Sequence, residues 1–130
     1  MLTILLATLG GCGSASDLCD PAGQRRAIDA WMRVMKADPP RGSKEEIVRW
    51  GKRHNVDMVL YDKVFLNIDI FDVKGPFKLP DEMRGAVAKA ECRDPCSSGE
   101  LVIQVTIVNG VAGSYGASFR SPPCKHPRAS

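Results

Sequence analysis

Residues 101–119 read LVIQVTIVNGVAGSYGASF, and this stretch decides the class of fold. Leu101, Ile103, Val105 and Ile107 alternate with Val102, Gln104, Thr106 and Val108. That period of two sends successive side chains to opposite faces of a strand. Asn109-Gly110 follows at once. Both residues tolerate the positive φ that a two-residue type I′ turn demands, so the chain is expected to reverse here and return along 111–119 as an antiparallel neighbour. The returning strand holds Gly113, Tyr115, Gly116, Ala117 and Ser118. These are small for a strand, and glycine there points to a bulge or a close backbone approach.

Upstream, the same period starts at Val56, Met58 and Leu60, and Asp62-Lys63 marks a turn. Val64, Leu66, Ile68 and Ile70 then share one face of a further expected strand, with Phe65, Asn67, Asp69 and Phe71 on the other. Two Phe beside polar groups on a solvent-side face have the make-up of an interface centre, so Phe65, Asn67, Asp69 and Phe71 are the candidate partner-binding residues. Cover by residues 76–99 is the rival reading of that face. Gly75-Pro76 ends this strand. Residues 80–90 are expected to be helical, with Met83, Val87 and Ala90 spaced for one helix face.

Two helices are expected before the strands. Asp20 can cap the first and Pro21 suits its first turn. Ile28, Trp31, Met32 and Met35 fall at i, i+3, i+4 and i+7 and read as its core stripe. Asp38-Pro39-Pro40-Arg41-Gly42 stops it. Ser43-Lys44-Glu45-Glu46 is a capping box that opens the second helix, in which Ile47, Val48 and Trp50 are apolar. It closes at His54-Asn55, with Asn55 able to take a left-handed turn. The expected fold is α+β: two N-terminal helices packed on one face of a mostly antiparallel four-stranded sheet, as a single domain over 19–130.

Residues 1–11, MLTILLATLGG, suit the apolar region of a signal peptide and are too short to span a bilayer. Leu9-Gly10-Gly11-Cys12 resembles a bacterial lipobox: a branched apolar residue, two small ones, and a cysteine that becomes the first mature residue. The resemblance implies a diacylglyceryl thioether on Cys12, a tether over 12–18 and anchorage to a membrane. Gly13, where an acid is lacking, implies the outer membrane by the family's sorting rule. No Lys or Arg precedes the apolar run.

With Cys12 assigned to the lipid, Cys19, Cys92, Cys96 and Cys124 remain, an even set that reads as two disulfides in an exported chain. Of three connectivities, Cys19–Cys124 with Cys92–Cys96 is favoured, because Asp94-Pro95 can turn the chain locally and chain ends often meet. Zinc held by Cys92, Cys96, Cys124 and His126 is the disfavoured alternative, since the spacing is loose and an oxidising compartment pairs thiols first.

The 18 basic and 15 acidic residues give a net charge of +3, with the signs interspersed. Without a basic run or interleaved aromatics, nucleic acid is not an expected partner. No G-x-S-x-G occurs, Glu45-Glu46 are explained by capping, and Asp69 and Asp72 on a strand point to opposite faces. No enzyme, cofactor or metal site is expected. The element order, with Gly42-Ser43-Lys44-Glu45-Glu46-Ile47 opening the second helix, resembles the BamE-like outer-membrane lipoproteins and the β-lactamase-inhibitor-like domains. That resemblance implies an envelope lipoprotein binding another envelope protein, as an assembly or accessory factor. The inhibitor-like relatives imply the alternative of a periplasmic inhibitor or immunity protein. A third expectation is a small-ligand or ion sensor using the groove between helices and sheet.

Overall fold

A computed structural model describes residues 17–61 and 80–124. Asp17–Cys19 forms one turn of 3-10 helix, and helix α1 then runs Pro21–Ala37 with the proline in its first turn. Its buried face follows a strict spacing of four: Gly23, Ala27 and Met35 are buried, with Trp31 half-buried between them. The expected stripe is therefore rotated, and Met32 is 37% exposed. Small residues at 23 and 27 let the helix sit close to its neighbours, and the Gly23 position faces the carbonyl of Asp17.

Helix α2, Lys44–Arg53, opens as expected. The Ser43 hydroxyl accepts from the Glu46 N–H at 3.4 Å, and the Glu46 carboxylate accepts from the Ser43 N–H at 3.1 Å. It closes through Asn55, whose φ is +57°. The Val56 N–H donates to the Gly51 carbonyl and the Asn55 N–H to the Lys52 carbonyl, the paired bonds of a Schellman ending.

The sheet is antiparallel, in the order β1 (Val59–Tyr61), β2 (Asp81–Ala90), β3 (Gly99–Val108) and β4 (Val111–Arg120). The fold class is as expected: two helices against a four-stranded antiparallel sheet, with two disulfides. One element differs. Residues 81–90 form strand β2, not a helix. Helix propensities favour its Ala, Glu, Arg and Lys by only tenths of a kcal/mol per residue. Pairing with β1 on one side and with β3 from Asp81↔Ile107 to Ala90↔Gly99 outweighs that preference. The residues 64–71 expected to form a strand lie outside the described residues.

Asn109-Gly110 makes the expected tight turn, both residues at positive φ. Val108 faces Val111 across it, and a one-residue shift beyond Ile107↔Ala112 leaves Gly113 as a bulge before Thr106↔Ser114 resumes the ladder. Ile103, Val105 and Ile107 face the helices and, with Met35, Ile47, Trp50, Val56, Met58 and Met83, build the main core. A second cluster of Leu18, Ala27, Ala90 and Leu101 closes the other end of the sheet. Leu18, at the end of the expected tether, is 1% exposed.

The cysteines pair differently from the favoured connectivity: Cys19 with Cys92, and Cys96 with Cys124, at Cα separations of 5.6 and 5.2 Å. The hairpin explains the second bridge. Glu100 faces Arg120 at the end of the β3–β4 ladder, so the segment leading into β3, which holds Cys96, and the segment leaving β4, which holds Cys124, lie at the same end of the hairpin. Within the intervening loop, Asp94 caps the Cys96 N–H at 3.0 Å and starts a 3-10 turn over Pro95–Ser97, while the Ser98 hydroxyl accepts from the Cys92 N–H at 2.9 Å. Cys92 is left beside Cys19 and the Leu18 cluster.

Candidate functional site

Cys12 and the residues Phe65, Asn67, Asp69 and Phe71 lie outside the described residues, as does His126. Among the described residues no three His, Cys, Asp or Glu side chains are grouped as metal ligands, and no helix is long and apolar enough to cross a membrane. Cys19, Cys92, Cys96 and Cys124 are all in disulfides. His54 stands at the expected C-terminal cap of α2, but its side chain is committed elsewhere, as follows.

Three features come from the way the helices cross the sheet; of these the sequence pointed only to a groove between helices and sheet, without its residues. The first is the joint between the helices. The Trp50 indole N–H donates to the Asp38 carbonyl at 2.7 Å. The Asp38 carboxylate meets His54 Nε2 at 2.7 Å and one Arg53 guanidinium nitrogen at 3.3 and 3.5 Å. Hydrogen bonding from His54, with help from Arg53, holds the Asp38 carboxyl below its usual range. The His54 ring also lies 4.7 Å from the Trp50 ring. One carboxylate thus fixes the last turn of α2 against the end of α1.

The second feature is a groove of about 450 Å³ between α1, the end of α2 and β2. Helix α2 ends at Arg53, and Val56 and Met58 cross β2 at Gly85. Beyond that crossing, Trp31 and Val34 of α1 line a gap together with Val87 and Ala88 of β2, Leu18 and Leu101, and past it Ala90 of β2 packs with Ala27 of α1. A bulge at Val87, between the Ala86↔Val102 and Ala88↔Leu101 pairs, bends the strand there. Arg53, His54 and Asn55 form the polar end of the groove, and none of its lining residues among those described is acidic. The expectation of a helix over 80–90 concealed the β2 wall of this site. Gly85, a poor residue for a helix interior, was the signal against it.

The third feature is the edge of the sheet. Among the described residues β4 has no strand beyond it. Its first residues are held by the bond from the Ala112 N–H to the Gly42 carbonyl, 2.9 Å long. From Gly113 onward the strand is GSYGASFR, without the proline or lysine that usually blunts such an edge. Gly113, Ser114 and Tyr115 are exposed.

On the far face of the sheet, Arg84 makes a two-point ion pair with Glu82 at 2.9 and 3.0 Å, its guanidinium 5.4 Å from the Tyr61 ring centre. That pair is spent on itself and offers little to a ligand. Compared with protein-family models, with curated proteins and with solved structures, the chain matches none.

Proposed function

We propose that the chain is an envelope lipoprotein, anchored through Cys12 and facing the periplasm, that works as a protein-binding module by adding an extended segment of another envelope protein to the edge of β4. The observation that carries this reading is that, among the described residues, no strand pairs with the outer side of β4, with Gly113, Ser114 and Tyr115 exposed there. Unpaired strand edges are templates for β-augmentation, in which main-chain hydrogen bonds supply affinity and alternate side chains supply specificity. Gly116 lies on the face of the sheet turned from the helices, opposite Gln104, with no atom within 4 Å of where a Cβ would stand, so a partner's side chain has room there. Two disulfides support an exported domain, since such bridges persist in oxidising compartments. The lipobox-like Leu9-Gly10-Gly11-Cys12 supports the anchor. Two or more acyl chains hold firmly where one is marginal.

Photo-crosslinking in intact cells tests the reading. A benzophenone amino acid replaces Ser114 or Ser118, and a control replaces Lys36, which is exposed on α1. Adducts with another envelope protein are expected at the two β4 positions and not at Lys36. Adducts with a second copy alone would make the edge a homodimer contact and overturn the reading. In parallel, labelled palmitate is expected to enter the natural chain and not Cys12→Ser; equal label in both removes the anchor.

A further inference from the structure

We infer that the groove beside β2 binds a single-chain anionic amphiphile, with its alkyl chain along Trp31 and Val87 and its acid group at Arg53. The inference is independent of the β4 reading, because none of the groove's residues belongs to β4. Two observations carry it. The groove is polar at one end only: Arg53, His54 and Asn55 stand together, and the rest of the wall is apolar. Its volume of about 450 Å³ lies within the range of small-molecule sites, roughly 300–1,000 Å³.

The polar end offers an anion the free donors of one guanidinium, whose charge is partly offset by the Asp38 carboxylate behind it. Arg53 spends one guanidinium nitrogen on Asp38, at distances of 3.3 and 3.5 Å, and its side chain is 57% exposed. A guanidinium has five N–H donors in a fork, so the remaining ones can grip a carboxylate. His54 uses Nε2 toward Asp38; with the proton on that nitrogen, Nδ1 is an acceptor, so the grip on the anion falls to Arg53 and Nδ1 can only receive a bond from a water or O–H beside it. Asp38 therefore orients both groups from behind. It is not itself among the groove's lining residues.

The two tryptophans report separately on this site. Trp31 lines the groove, whereas Trp50 is 1% exposed in the main core. The purified full chain, with both disulfides intact, is titrated with dodecanoate brominated on its chain, below its micelle concentration. Quenching of Trp31 is expected, and Trp31→Phe should abolish it while leaving the Trp50 emission. Unbrominated dodecanoate should displace the probe about tenfold more tightly than dodecanol, the size expected of one charge-assisted bond, with dodecyltrimethylammonium weaker still. Arg53→Gln, at an exposed position where the fold is little disturbed, should erase that ranking, and Ala30→Phe should block the groove. Absence of Trp31 quenching, equal binding of dodecanol, or an unchanged ranking in Arg53→Gln would each overturn the assignment. If Ala30→Phe fails to fold by circular dichroism, the Trp31→Phe and Arg53→Gln results decide alone.

Discussion

The Trp50 indole N–H donates to the main-chain carbonyl of Asp38 across the turn that joins the two helices, at 2.7 Å. Trp50 is otherwise enclosed in the main core, so one side chain both fills the space under α2 and fixes the end of α1. Trp50→Phe removes that donor and part of the packing volume. A loss of about 2–4 kcal/mol in urea unfolding is expected, from a partial cavity plus an acceptor left without its partner. A loss below about 1 kcal/mol would show that the joint contributes little.

Asp38 also makes the joint sensitive to acid. Its folded carboxyl is held below the usual 3.8, chiefly by the His54 hydrogen bond. A carboxyl whose folded value is depressed contributes stability above its unfolded value, and that stability is lost as pH falls through the folded value. Asp38→Asn is therefore expected to lower the unfolding midpoint at neutral pH. The gap from the natural chain should close as the pH falls below 3.8. A gap of constant size down to about pH 2 would mean that the carboxylate's ionisation is not what the joint uses.

Gly51 lies in α2 where a methyl group ordinarily stabilises a helix by about 1 kcal/mol. Here a Cβ would meet the carbonyl oxygen of Val56 and the side chain of Met58. The backbone contact cannot swing away, because Val56 is tied to Gly51 through the helix ending. Gly51→Ala is expected to destabilise by about 1–3 kcal/mol, clash outweighing propensity. A stabilised variant in thermal melts would show that the segment after Asn55 can retreat.

What the sequence made legible is what local chemistry decides. The Ser43–Glu46 capping box, the left-handed Asn55 and the Asn109-Gly110 turn each depend on a few adjacent residues, and each is found as expected. Strand β2 depends on distant partners. Met83, Val87 and Ala90 have helical spacing, yet Met83 and Ala90 face the core from a strand because a bulge intervenes at Val87. The groove's lining residues were hidden by the same error, since a helix over 80–90 would not form its β2 wall. The face of Phe65, Asn67, Asp69 and Phe71 lies outside the described residues. The disulfide pairing was legible in principle. A two-residue turn at Asn109-Gly110 with one bulged glycine pairs Glu100 with Arg120 and so brings Cys96 and Cys124 to the same end of the hairpin, but the local Asp94-Pro95 turn favoured Cys92–Cys96.

That register gives the last prediction, made with a single and a double deletion in β4. Gly113 is the extra residue of the bulge, lying between Ala112, which faces Ile107, and Ser114, which faces Thr106. Removing it joins two residues that already point to opposite faces, so each later pair, from Ser114 to Arg120, can stay as it is. Removing Gly116 as well, from the chain that already lacks Gly113, acts differently. Gly116 lies within the regular ladder, opposite Gln104, and with the bulge gone nothing upstream takes up its loss, so each following side chain turns to the other face. Phe119 would leave the Leu18 cluster it packs against, and Cys124 would be displaced from Cys96. The Gly113 deletion is expected to keep both disulfides and to lose less than about 1 kcal/mol, the size of a surface change. The double deletion is expected to lose roughly 3 kcal/mol or more, because a half-buried aromatic packed on the core is displaced, and to show free thiols from Cys96 and Cys124. Thiol titration of each denatured, unreduced variant gives the answer. Free thiols after loss of Gly113 alone, or none after loss of both glycines, would mean that the hairpin register does not set the Cys96–Cys124 pairing.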